Sequence, residues 1–192
     1  MRPSPPPAPL GLVTRGSLQG GLTLRLDESV SVESLRAGKF VVVEGERQRF
    51  FSMITDVALG ASDPRILAQP PDDGLLRRAL GGVGLYGEAS LRPLLMLEKG
   101  ADGTVSADDL RPVKTVPAHF RPAYEASEED VAQIFGAEEG DASGRWFHVG
   151  EPLDMETPVC LDLDRFVERS SAIFGKSGTG KTFLTRICLC GI

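Results

Sequence analysis

No run in this 192-residue sequence approaches the ~20 apolar residues that cross a bilayer, so a membrane-spanning helix is not expected. Aromatic residues make up only 6% of the chain, and histidine and cysteine are scarce at two and three copies. An odd number of cysteines without a secretory signal excludes a disulfide framework and predicts reduced thiols. Cys188 and Cys190 form a C-x-C pair, but His119 and His148 lie far away in sequence, so a zinc quartet is not indicated. The cysteines are expected to be small buried hydrophobes. The leader, residues 1–9, is Pro-rich and lacks an apolar h-region, which predicts a disordered arm in place of a signal peptide and a cytoplasmic protein.

What remains is ordinary for a globular chain, at 41% hydrophobic and 25% charged residues. The net charge of −6 is unevenly placed. Residues 1–120 balance 14 basic against 14 acidic side chains, residues 121–168 carry 3 against 13, and residues 169–192 carry 4 against none. No broad basic face for nucleic acid emerges from this distribution. The acidic stretch reads as a solvated linker or helix face.

Short β-prone runs fill the first half. Leu22, Leu24 and Leu26 alternate with Thr23 and Arg25, the period of a half-buried strand, and Leu10 to Leu18 precede them. Lys39 to Glu44 and Gln48 to Leu59 flank the turn Gly45-Glu46-Arg47 as a hairpin. Tyr86 to Leu97 is a further strand, followed by the turn Gly100 to Gly103, and Asp72 to Leu80 is a short helix between strands. Close-spaced strands with Gly turns predict a mainly β domain, a small antiparallel barrel over residues 10–115. Gly82 to Gly87 formally match GxGxxG, but they open a strand-like run where a dinucleotide site would open a helix, so they read as turn residues.

The prolines between Arg111 and Tyr124 predict an extended segment leaving the barrel, within an acidic crossover over residues 116–168. In it, Ser127 with Asp130 three residues on is an N-cap signal for a helix ending near Gly136. Trp146 to Gly150 and Val159 to Leu163 read as two short strands, and Asp162 and Asp164 as neighbours on a solvated face. Trp146 is expected to be a packing anchor and His148 a strand residue without catalytic work.

The sharpest motif is GKSGTGKT, Gly175 to Thr182, which satisfies GxxxxGK[ST] at every fixed position. Glycines let a backbone curl and turn its N–H groups onto phosphates, and a helix start adds partial positive charge. Gly175, Gly178 and Gly180 supply the turn, and the N–H groups from Lys176 through Ser177 and Thr179 to Thr182 the cradle. Lys181 is placed for the β and γ phosphates of ATP and the Thr182 hydroxyl for Mg²⁺. The apolar run Ala172 to Phe174 reads as a preceding strand and Thr182 to Leu189 as a following helix. Residues 169–192 thus look like the first strand, phosphate loop and first helix of an incomplete α/β P-loop NTPase domain.

Taken together, Leu10 to Leu26, Gly38 to Val43, Pro158 to Arg169 and above all Ala172 to Thr182 resemble the amino-terminal part of a HerA-like ATPase, a HAS-barrel followed by the opening of a RecA-type domain of the HerA/FtsK group. The resemblance implies an ATP-driven DNA translocase or helicase that assembles as a hexameric ring, with the barrel serving assembly and docking of partners such as a nuclease. Only the phosphate-loop residues carry over. The aspartate of the second strand, the catalytic glutamate and the arginine finger of the family are not found, so no catalytic residue is assigned and this chain is expected to bind ATP without hydrolysing it. A truncated reading frame or fragment is expected, with Phe183, Leu184, Ile187 and Leu189 lacking a sheet to pack on. Two other readings are a non-enzymatic β-barrel docking or oligomerisation module and a P-loop NTPase acting on a substrate other than DNA.

Overall fold

The computed structural model describes residues 8–68, 72–80, 84–99, 110–138, 144–151, 157–168 and 170–191. The Pro-rich arm up to residue 7, Gly82 and Val83 of the GxGxxG match, the Gly100 to Gly103 turn and Arg169 lie outside the described residues. The chain divides into two compact units, Met1–Ala126 and Ser127–Ile192.

The first unit is mainly β. Its strands are β1 (Gly11–Ser17), β2 (Gly21–Leu26), β3 (Phe40–Glu44), β4 (Gln48–Ala61), β5 (Leu85–Glu98), β6 (Leu110–Pro112) and β7 (Pro122–Glu125). They form one antiparallel sheet in the order β2-β1-β7-β3-β4-β5-β6, and a further pairing of β2 with β5 closes six of them into a barrel. The alternation read at Leu22, Leu24 and Leu26 faces inward: these three side chains are buried while Thr23 and Arg25 are half-buried between them. Val13, Leu35, Val41, Val43, Phe50, Ile54, Ala89, Leu91, Met96 and Ala123 join them in the interior. Such closure leaves the six strands with few open edges. In the chain between β4 and β5 stand two short helices, α1 (Pro64–Ala68) and α2 (Gly74–Leu80). At Gly84 and Leu85 the chain enters β5 and not a helix, as a turn reading of those glycines requires.

The barrel takes in more chain than the prolines suggest. Residues 111–124 do not simply leave the domain: β6 adds to β5, and β7 inserts between β1 and β3. Pro122 sits at the first position of β7, where a missing N–H is tolerated. Around it Ala123 accepts from the Leu10 N–H at 2.7 Å and Arg121 from the Val13 N–H at 2.9 Å. The barrel therefore runs to residue 125, beyond the boundary at 115 expected from composition.

The second unit is more ordered than a linker. Helix α3 (Glu128–Phe135) opens with a capping box: Ser127 Oγ accepts from the Asp130 N–H at 3.2 Å, and the Ser127 N–H donates to Asp130 Oδ2 at 3.0 Å. Strands β8 (Trp146–Gly150) and β9 (Val159–Asp162) pair antiparallel, Phe147 opposite Leu161. An unanticipated short helix, α4 (Leu163–Val167), follows directly, and α5 (Lys181–Gly191) ends the unit. The strand expected at Ala172 to Phe174 does not form; those residues are non-helical backbone without a ladder, and Phe174 is 91% exposed. A parallel strand exists only through hydrogen-bonded neighbours, and none is present for this segment among the described residues.

Candidate functional site

The loop Gly175 to Thr182, expected from its motif to hold phosphate, leads into the first turn of α5. The first N–H groups of a helix have no intrahelical acceptors, and its dipole leaves partial positive charge there. The Leu184 N–H donates to the Gly180 carbonyl at 3.0 Å, which begins the helical ladder directly behind the loop. Gly178 and Gly180 hold φ of +80° and +81°, the left-handed region that side chains with a Cβ adopt at a cost. Nothing lies within 4 Å of where a Cβ would stand at either glycine, so this face of the loop is open. At Gly175 the reverse holds: a Cβ would come within 2.9 Å of Thr179 Oγ1.

Internal hydrogen bonds set the loop's curl. The Lys176 carbonyl accepts from the Thr179 N–H at 3.4 Å and from Thr179 Oγ1 at 2.7 Å. The Lys181 ammonium donates to the same carbonyl, so the cation at the helix start is folded back over the loop. Thr185 Oγ1 donates to the Lys181 carbonyl at 2.9 Å. Ser177 and Thr182 are exposed, the latter within the first turn of α5. All eight residues expected at the site thus lie on one continuous loop and helix start. The bracing by Thr179 was not anticipated, although a hydroxyl three residues after a loop carbonyl is a recognisable turn signal.

An open, glycine-rich loop with a lysine folded over it and a helix N-terminus behind it suits a polyphosphate, and Thr182 is the residue present that could add a hydroxyl to its Mg²⁺. Among the described residues no cluster of three or more His, Cys, Asp or Glu is placed to hold a metal by itself. The cysteines also divide. Cys160 and Cys188 are buried, as expected, whereas Cys190 is exposed because α5 turns that face to solvent. Burial pushes the Cys160 thiol up, opposed by a backbone hydrogen bond from Glu138, which disfavours a thiolate ligand there.

The surroundings of the loop are apolar and open. Phe183 and Leu189 on α5 are 70% and 65% exposed, while Ile187 is half-buried. The last turn of α5 meets β8, where a Cβ on Gly191 would fall 2.7 Å from the Phe147 ring. His148 is exposed on β8, consistent with a strand residue. Asp162 departs from the solvated face expected of it: its side chain is only 10% exposed and is held by Arg145.

Among the described residues no helix is long and apolar enough to cross a membrane. Comparison with curated proteins gives no match. Two protein families do match the sequence. The HAS barrel domain matches residues 10–78, which hold β1 to β4, α1 and most of α2. The central domain of helicase HerA matches residues 147–192, from β8 through the loop Gly175 to Thr182 and α5. A closed six-stranded antiparallel barrel whose first four strands match a HAS barrel domain, followed by a segment matching the HerA central domain, makes the chain HerA-like in both of these parts and in their order.

Proposed function

We propose that this protein binds ATP with Mg²⁺ at Gly175 to Thr182, as the nucleotide site of a HerA-type, DNA-translocating ATPase. The observation that carries this reading is the Lys181 ammonium folded over a loop whose two glycines, Gly178 and Gly180, hold left-handed backbone at the start of α5. In this reading the loop N–H groups and Lys181 hold the phosphates and the Thr182 hydroxyl holds the metal. Bound MgATP supplies the phosphoanhydride whose hydrolysis powers such motors. Neither a lysine ammonium nor a threonine hydroxyl at these positions is a general base, so what these residues contribute is binding and orientation. The barrel serves assembly into a ring of identical subunits, the DNA passes through that ring, and the setting is cytoplasmic.

Titration of a fluorescent ATP analogue into the wild-type chain and Lys181→Ala tests the reading. A charge-assisted contact to phosphate contributes about 2–3 kcal/mol, so the variant is expected to bind about 30- to 150-fold more weakly. Equal binding by the two proteins would remove Gly175 to Thr182 as a nucleotide site. DNA-stimulated ATP hydrolysis, absent in Lys181→Ala, would then separate a translocase from an ATPase with another substrate.

A further inference from the structure

The loop contains two lysines, and the structure gives them different standing. Lys181 is drawn inward by the Lys176 carbonyl. Lys176 offers that carbonyl to three donors, the Thr179 N–H, Thr179 Oγ1 and the Lys181 ammonium, so its backbone is fixed from several sides. Its side chain is another matter. It is exposed, and among the described residues its ammonium has no carboxylate or carbonyl partner.

That isolation stands out against the charge around it. Among the described residues no acidic side chain pairs with Lys176, whereas Arg145 and Arg165 both reach Asp162. Residues 169–192 carry four basic side chains and no acidic one, and two of the four, Lys176 and Lys181, belong to the loop itself. A triphosphate tail presents several negative charges, while Lys181 supplies one and a helix start about half of one. A braced backbone beneath an unpaired cation, at the rim of this loop, complements the remainder of that charge.

We propose that the Lys176 side chain is a second phosphate-contacting cation of the site, a role separate from that of its backbone in the cradle. It meets the triphosphate tail of a nucleotide held either by its own loop or by the loop of a second copy of the chain. The proposal rests on the ATP reading above.

The test compares binding of a fluorescent ATP analogue by wild type, Lys176→Ala, Lys176→Arg and Lys181→Ala, each checked for native circular dichroism. Lys176→Ala is expected to weaken binding about tenfold and to flatten its salt dependence, and Lys176→Arg to restore most of both. Wild-type affinity in Lys176→Ala alongside weak binding in Lys181→Ala would overturn the proposal while leaving the ATP site standing. Unchanged affinity in both variants would remove the site itself, and the proposal with it. Mixing Lys176→Ala with Lys181→Ala separates the two sources. Affinity no better than that of Lys176→Ala assigns the contact to the residue's own loop, and recovery toward wild type assigns it to a neighbouring copy.

Discussion

Arg145 closes on a single oxygen of Asp162, with Nη2 at 2.5 Å and Nε at 3.0 Å from Oδ2. The other oxygen, Oδ1, accepts the Arg165 N–H at 3.1 Å and so caps α4. One carboxylate therefore ties the entry to β8 to the junction of β9 and α4. Its pKa is held below the ordinary 3.8, chiefly by the Arg145 hydrogen bond, with burial acting in the opposite direction and Arg165 adding to the lowering. A carboxylate with a depressed folded pKa stabilises fully above its unfolded value and loses that stabilisation as pH falls through the folded one.

Asp162→Asn keeps an oxygen for the cap and removes the charge. Arg145 is 40% exposed, which screens the pair, so the expected cost near neutral pH is about 1–2 kcal/mol. Trp146 is the only tryptophan and lies beneath Arg145, with the guanidinium 5.2 Å from its ring centroid. Its fluorescence is thus a local probe of unfolding. The wild type should lose stability as pH drops below about 4, and the variant should show a shallower acid dependence; parallel pH profiles for the two proteins would contradict the assignment.

Gly136 ends α3 at φ +72°, and a Cβ there would fall 2.1 Å from Cδ2 of Trp146. Two costs combine at this position, the left-handed backbone and displacement of the indole. Gly136→Ala is expected to destabilise the second unit by about 2–4 kcal/mol and to shift Trp146 emission in the folded state. Urea unfolding followed at the tryptophan measures both effects, and an unchanged midpoint would show that the indole is free to move aside.

The parts of this fold that were legible in sequence are those governed by short-range chemistry. Alternation at Leu22, Leu24 and Leu26 disclosed β2, Ser127 and Asp130 disclosed the start of α3, and the loop residues had to share one backbone path because their motif is contiguous. What escaped depends on distant partners. Three prolines hid β7, whose existence rests on pairing Ala123 with both Gly11 and Val43. The apolar run Ala172 to Phe174 looked like a strand, but without a hydrogen-bonded neighbour its composition decides nothing. Asp162 alternated with leucines as a solvent-facing residue would, yet the ion pair to Arg145, seventeen residues earlier, places it among protein atoms. Cys190 was misjudged for a similar reason, since a helix of mixed apolar character does not reveal which of its faces will be covered.

Barrel closure provides the last prediction. Leu91 on β5 stands opposite Leu22 of β2 and Ile54 of β4, and all three side chains are at most 2% exposed. It is the point where the sheet meets itself, so truncation there opens a cavity against two strands at once. Leu91→Ala is expected to cost about 2–5 kcal/mol. Leu59, in the same hairpin but 80% exposed, is the matched control, and Leu59→Ala should stay within about 0.5 kcal/mol of wild type. Both tyrosines, Tyr86 and Tyr124, lie on barrel strands, so near-ultraviolet circular dichroism in their absorption range follows this unit apart from Trp146. Comparable losses in the two variants would mean that the β2–β5 seam contributes no more to stability than the open end of the hairpin.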